Sequence, residues 1–131
     1  MNINRTAQDP YVAASPQLRA WWDAADDGRF LVPRCLDCGR VHWYPRAHCP
    51  LCGSIAVRLV DASGRATLHS FSVIHRAAKP YVLAYVQIEE GPLLMTNIVN
   101  CPFDALRIDM PLQARFRRTA YGRNAVVFSP A

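Results

Sequence analysis

At 131 residues, 51% hydrophobic and 19% charged, the chain falls in the globular range. It is long enough to bury about two thirds of its unfolded surface and too apolar for a disordered polypeptide. Its formal charge of +5 comes from fourteen arginines and one lysine, Lys79, against ten acids, and only Arg115, Arg117 and Arg118 lie close together, which argues against a basic arm that tracks a phosphate backbone.

No apolar run approaches the roughly eighteen residues that span a bilayer, and Met1 to Pro10 lacks the basic start and apolar stretch of a secretory signal. No membrane association is expected, and the chain reads as cytoplasmic. Past that irregular start, Ser15-Pro16 is a helix opening: serine suits the N-cap, and proline the first helical position, where its missing N–H is no loss. Leu18, Trp21, Trp22 and Ala25 recur at i, i+3, i+4 and i+7 as one apolar face, and Gly28 ends the run, so residues 1–29 are an N-terminal helical segment. Two adjacent tryptophans on so short a helix need cover from the rest of the chain or from another chain. Packing within the chain is the default; Trp21 and Trp22 are the candidates for a partner-facing anchor, because aromatic side chains dominate interface energetics.

Residues 30–60 are organised by Cys35-Leu36-Asp37-Cys38-Gly39 and Cys49-Pro50-Leu51-Cys52-Gly53, with ten residues between Cys38 and Cys49. Two CxxC turns at this spacing present four thiolates to one tetrahedral metal, and zinc is the expected ion. The glycine after each pair suits a turn in which φ becomes positive. Four thiolates close the coordination shell, so Cys35, Cys38, Cys49 and Cys52 are read as a structural zinc site. A redox dithiol is the weaker reading, because such a pair usually stands alone at a helix start. Phe30 to Arg34 and Val41 to Pro45 are proline-limited, strand-like runs and are expected to pair as the hairpin of a zinc ribbon. His42 and His48 are extra nitrogen donors, read as surface residues, and Cys101 is read as a small buried residue. With four thiolates and one dication counted, the formal +5 falls to +3.

Residues 61–131 read as all-β. Arg65 to Ile74, Tyr81 to Ile88, Leu93 to Val99, Leu112 to Arg118 and Ala125 to Phe128 are five strand-like runs, with a short helical link at Cys101 to Ile108 after the third. Five strands with a helical link at that place follow the order of an OB-fold barrel. The chain is therefore expected to be mainly β, with an N-terminal helix, a zinc ribbon and a C-terminal five-stranded barrel. No nucleophile elbow, metalloprotease helix or phosphate-cradling glycine loop is present. Glu89-Glu90 lies in a turn and reads as solvated. His69 and His75 have the same strand parity, which would direct both to one face of the first barrel strand.

Several strings together resemble the DUF35 family: the aromatic helix, Cys35-x-x-Cys38-Gly39, Pro45-Arg46, Cys49-Pro50-x-Cys52-Gly53-Ser54, Phe71-Ser72-Val73-Ile74-His75, Pro80-Tyr81-Val82, Glu90-Gly91-Pro92 and Thr96-Asn97-Ile98-Val99. The resemblance runs from about Ser15 to Pro130. It implies a rubredoxin-like zinc ribbon joined to an OB-fold, in an accessory subunit set against a thiolase-like or MaoC-like hydratase acyl-CoA enzyme and contributing in some members to a coenzyme A channel. The chain departs from the family after Val99, where Asn100 replaces the usual glycine.

The expected function is thus a non-catalytic scaffold subunit that binds such an enzyme and helps bind its acyl-CoA. The loop between the first two barrel strands supplies the candidate ligand residues, His75, Arg76, Lys79 and Tyr81, as cations and an aromatic ring for phosphates and adenine. The alternative is single-stranded nucleic-acid binding by a zinc-ribbon/OB-fold protein. It is disfavoured because Tyr81 to Ile88 and Leu93 to Val99 contain no lysine or arginine. An independent small enzyme has no catalytic constellation in its favour.

Overall fold

The computed structural model describes residues 9–131. The chain divides into two compact units, one running to Ala62 and including Phe116–Ala125, the other made of Ser63–Arg115 and Val126–Ala131.

The described part of the first unit opens with a short helix, α1, Pro10–Ala13, ahead of the helix start expected at Ser15-Pro16. Its start repeats the signal seen at Ser15-Pro16: Asp9 caps it by accepting the Tyr11 N–H at 2.8 Å, and Pro10 occupies the first turn. Ser15-Pro16 itself opens a 3₁₀ turn, Pro16–Leu18, without a side-chain cap, and the α-helix proper, α2, spans Arg19–Asp26. Its end is as expected. Gly28 has φ +79°, its N–H reaches the Ala25 carbonyl at 3.0 Å, and the Arg29 N–H reaches the Ala24 carbonyl at 2.9 Å, the paired closing bonds of a glycine-terminated helix. Leu18, Trp21, Ala24 and Ala25 are buried, whereas Trp22 is only half-buried.

Strand β1, Leu31–Cys35, pairs antiparallel with β2, Val57–Asp61, from Leu31 opposite Asp61 to Cys35 opposite Val57. The expected hairpin partner of β1, Val41 to Pro45, contributes a single bridge, Arg34 to Val41, with the His42 N–H donating to the Pro33 carbonyl at 3.1 Å. Pro33 has no N–H to extend that pairing and Pro45 limits the second run, while Val57–Asp61 offers five residues free of proline. The helix packs on this ribbon through aromatic edges. Trp21 lies 4.6 Å from Trp22 and 6.0 Å from Trp43, and Phe30 lies 6.2 Å from Trp43, all edge-to-face by ring centroids. The Trp21 indole N–H donates to the Leu31 carbonyl at 2.7 Å, which ties α2 directly to β1.

Residues 116–125 belong to the same unit through Arg123. Its guanidinium pairs with the fully buried carboxylate of Asp9 and lies 4.1 Å from the Trp22 ring centroid and 5.5 Å from that of Tyr11. Asn124 adds two bonds, its backbone N–H to the Asp26 carboxylate at 2.8 Å and its side-chain amide to the Ala25 carbonyl at 3.0 Å.

The barrel strands are β3, Arg65–Ile74; β4, Tyr81–Ile88; β5, Leu93–Ile98; β6, Pro111–Arg118; and β7, Asn124–Pro130. They close in the order β3-β4-β5-β7-β6, with β5 and β7 parallel, which is the OB-fold expected from the strand count. Leu68, Val82, Val86, Ile88, Leu112 and Phe128 are at most 2% exposed and form its core. The link after β5 contains only a 3₁₀ turn, Phe103–Ala105. Just before it, Asn100 has φ +55°, so asparagine here adopts the left-handed conformation that glycine otherwise supplies.

A register shift between Leu68 and Ser70 inserts one extra residue into β3. Past it, Phe71 and Val73 stand opposite the buried Ala84 and Val82, while Ser70, Ser72 and Ile74 stand opposite Tyr85, Leu83 and Tyr81 on the outside. His69 and His75 therefore do not share the alternation of one strand face: His69 sits in the bulge, and His75 follows the strand end with its ring 6.2 Å from Phe103. The turn between β4 and β5 also differs from expectation. Glu89 is exposed and pairs with Arg65, but Glu90 is half-buried and accepts the Ser63 N–H at 2.7 Å.

Trp21→Ala is expected to destabilise the protein by about 3–5 kcal/mol in urea titrations, and Trp21→Phe by about 1–3 kcal/mol through the orphaned Leu31 carbonyl. Equal losses for Trp21→Ala and Trp22→Ala would contradict the burial difference between the two rings.

Candidate metal centre

Each CxxC pair folds into the same turn. In the first, the Cys35 N–H donates to the Arg40 carbonyl at 3.0 Å and the Gly39 N–H to the Cys35 carbonyl at 2.9 Å; in the second, the Cys49 N–H donates to Ser54 and the Gly53 N–H to Cys49, both at 2.8 Å. Gly39 and Gly53 have φ +74° and +81°, the positive values their positions anticipated. The turns are joined to each other and to the ribbon. Ser54 donates its hydroxyl to the Asp37 carboxylate and accepts the Ala56 N–H at 3.0 Å, and the Leu36 N–H reaches the Ala56 carbonyl at 2.8 Å.

The four sulfur atoms of Cys35, Cys38, Cys49 and Cys52 lie within 4.8 Å of one another, with Cys35 to Cys52 at 3.5 Å and Cys38 to Cys49 at 3.8 Å. A tetrahedral zinc with sulfur ligands at about 2.3 Å holds its sulfurs about 3.8 Å apart, so the residues fit that ion. Four thiolates leave no open coordination position, and the metal such a set holds supports the fold.

The protein around the sulfurs selects where ionisation begins. Cys38 is pulled down to about 6, first by the Arg40 backbone N–H and then by the Arg40 guanidinium beside it. Cys35 is lowered chiefly by the Cys38 backbone N–H. At Cys52 the Ser54 backbone N–H favours the thiolate, but the neighbouring Cys35 thiol, burial, and the Cys49 and Cys38 thiols together push it up to about 12. Without a cation the cluster thus keeps a proton at Cys52, and a dication displaces it.

The two histidines of the ribbon separate. His48 is exposed, as expected, but His42 is 3% exposed, and neither ring nitrogen has a hydrogen-bond partner. The surface reading of His42 is therefore corrected. Its backbone N–H donates to the Pro33 carbonyl, and burial together with nearby Arg46 holds its pKa below the ordinary histidine value. Nothing in a lone histidine within an aromatic run signalled this. Cys101 is half-buried, its thiol directed at the Pro102 carbonyl.

Of the two tryptophans singled out, Trp21 is directed inward and Trp22 keeps part of its ring open beside Arg123. Trp22 also lines a cavity of about 520 Å³ with Tyr11, Tyr44 and Arg123. His75, Arg76, Lys79 and Tyr81 all lie exposed on the β3–β4 loop and its exit, and among the described residues no side-chain hydrogen bond or ion pair engages Arg76 or Lys79. Among the described residues, no helix is long and apolar enough to cross a membrane.

A cysteine-clustered ribbon followed by a closed five-stranded barrel defines the class: a zinc ribbon joined to an OB-fold. Family profiles agree, the ChsH2 rubredoxin-like zinc ribbon domain matching residues 22–57 and the ChsH2 C-terminal OB-fold domain residues 59–117. A DUF35 domain-containing scaffold protein of Methanocaldococcus jannaschii is 32% identical over 108 residues, 77% of each chain, and the chain belongs to the DUF35 family. A probable enoyl-CoA hydratase alpha subunit of Thermomonospora curvata is 33% identical over 116 residues, which are 85% of this chain but 36% of that protein. Among solved structures, a chain of the Ltp2-ChsH2(DUF35) aldolase superposes with a TM-score of 0.77 at 31% identity, covering 86% of this chain and 93% of that one.

The reduced protein is expected to carry one zinc per chain by elemental analysis, and chelation to unfold the ribbon, since metal in such sites contributes on the order of 10–16 kcal/mol. Uptake must displace the proton that Cys52 keeps up to about 12, and below about 6 that of Cys38 as well, so zinc affinity is expected to rise with pH across the neutral range. Competition titrations giving the same affinity at about pH 7 and about pH 9 would contradict this. For His42 the lowered folded pKa means that the unfolded state binds more protons, so stability is lost as pH falls through the ordinary value of 6.5 toward the folded one. His42→Leu is expected to shrink the stability difference between about pH 7.5 and about pH 5.5 in denaturant titrations.

Proposed function

We propose that this chain is a non-catalytic accessory subunit that binds an acyl-CoA enzyme of the thiolase-like or MaoC-like hydratase kind and helps it hold its acyl-CoA. In this reading the segment 1–29, of which residues 1–8 lie outside the described residues, the ribbon 30–60 and the barrel 61–131 are the parts of the scaffold, with structural zinc in the ribbon held by Cys35, Cys38, Cys49 and Cys52. The observation that carries it is the likeness, at 31% identity, to nearly the whole of a DUF35 chain in an aldolase named for two components, Ltp2 and ChsH2. The scaffold-protein names of other relatives and the hydratase-subunit name of another support the same reading.

A closed thiolate shell adds physical support, because a metal so held offers no site for a substrate. The exposed Arg76 and Lys79, with His75 and Tyr81 beside them, are a suitable contact for the phosphates and adenine of coenzyme A.

Co-expression of the tagged chain with thiolase-like and hydratase-like acyl-CoA enzymes from the same genome is expected to yield a stoichiometric complex with one of them, and the chain alone is expected to turn over no acyl-CoA. Retention of none of these enzymes, or acyl-CoA turnover by the isolated chain, would overturn the reading. In the complex, Arg76→Ala with Lys79→Ala is expected to weaken coenzyme A binding about tenfold by calorimetry, and unchanged binding would remove the loop from the ligand site.

A further inference from the structure

The outer face of β4 and β5, continued by β3 past its bulge, differs from the rest of the barrel surface. Tyr85 stands directly opposite Met95, Tyr81 opposite Ile74, and Leu83 opposite Ser72, while Leu93 stands opposite Gln87 one step along. Tyr81, Tyr85, Leu93 and Met95 are 42%, 47%, 42% and 58% exposed, with Ile74 and Leu83 half-buried between them. None of the outward positions of β4 and β5, nor of β3 from Ser70 onward, is lysine, arginine, aspartate or glutamate. Charges stand at its two ends: Arg65 and Glu89 neutralise one another in a surface pair at one, and Arg76 and Lys79 of the β3–β4 loop follow Ile74 and precede Tyr81 at the other.

We infer that this face is the docking surface for the partner enzyme, and that it receives an uncharged, apolar patch of that second polypeptide. The inference rests on the accessory-subunit reading above and gives it a location. Three properties point to a protein occupant. The centre holds tyrosine, methionine and aliphatic side chains without charge and the border holds a salt bridge, which is the core-and-rim arrangement of protein interfaces. Its exposed apolar area is on the order of 400 Å² by the fractional exposures, about half of the roughly 800 Å² that one partner contributes to a stable interface, so it forms the centre of a contact rather than a scattered set of surface residues. Finally, the corresponding face in nucleic-acid-binding OB-folds combines stacking aromatics with cations that track phosphates, and here Tyr85, at the centre, pairs across the strands with Ser70 and Met95, and the arginine and lysine nearest in sequence, Arg76 and Lys79, lie in the loop at one end.

The test compares wild type, the double variant Tyr85→Asp/Met95→Asp and the control Ile108→Asp in co-expression with the acyl-CoA enzyme that wild type retains. Ile108 is also exposed, at 56%, but lies outside the strands of this face. The inference expects wild type and Ile108→Asp to bring down the enzyme in equal amount and the double variant at least tenfold less, with zinc content and melting temperature unchanged. The milder pair Tyr85→Ser/Met95→Ser, expected to give the same loss, covers the case in which the aspartates unfold the barrel. Retention of the enzyme by both pairs overturns the inference and leaves the accessory role intact. Failure of wild type to retain any acyl-CoA enzyme overturns the role and the inference together. A wild-type dimer in sedimentation that the double variant dissociates assigns the face to a second copy of this chain. Binding of a twenty-nucleotide thymidine oligomer that the double variant abolishes assigns it to nucleic acid. Either result overturns the proposal.

Discussion

Four cysteine sulfurs within 4.8 Å of one another are an unstable gathering when all are ionised, because like charges at that range suppress further ionisation. The ribbon answers with donors arranged in two equivalent turns, each cysteine–glycine pair closing a backbone ring, and with the Arg40 guanidinium beside Cys38. These lower the cost at Cys35 and Cys38 but not at Cys52, where neighbouring sulfurs prevail. The remaining repulsion is what a divalent ion removes. Structural zinc is therefore more than an addition to a finished ribbon: β1 and β2 pair over only five residues each, too little sheet for independent stability.

The first unit gains its other support from aromatic edges and one buried ion pair. Asp9 is fully buried, caps α1 through the Tyr11 N–H and pairs with Arg123, whose guanidinium also faces the Trp22 ring. A carboxylate so placed is tolerable because its lone pairs are occupied from two directions. The same arrangement explains why Trp22 keeps only part of its ring open: the exposed side of the helix is partly covered by an arginine 101 positions further along the chain.

Much of this was legible beforehand, and the reasons differ by element. Cysteine spacing and the trailing glycines Gly39 and Gly53 anticipated both metal turns down to the sign of φ, because a tetrahedral ion leaves little freedom in the loops that hold it. The barrel strands appeared within a residue or two of their observed limits, since alternation and β-branching report half-buried strands well. Pairing was less accessible. Val57–Asp61, rather than Val41 to Pro45, became the partner of β1, a choice that depends on which run has N–H groups to offer after its prolines are counted. The inward turn of His42 and the Asp9–Arg123 pair were invisible for another reason: both are set by residues distant in sequence, and no local pattern marks them.

The extra residue near His69 has a consequence for how β3 tolerates change. It lets Ala66, Leu68, Phe71 and Val73 all stand opposite buried residues of β4 although the middle two are three residues apart, with Phe71 still 37% exposed toward the strand end. Removing a single residue there would restore strict alternation and exchange sides along the rest of the strand, bringing Ser70 and Ser72 to the side that faces Ala84 and Val82 and turning Val73 away from it. Insertions and deletions in this strand are thus constrained by phase, and a length change of one is a larger perturbation than most substitutions.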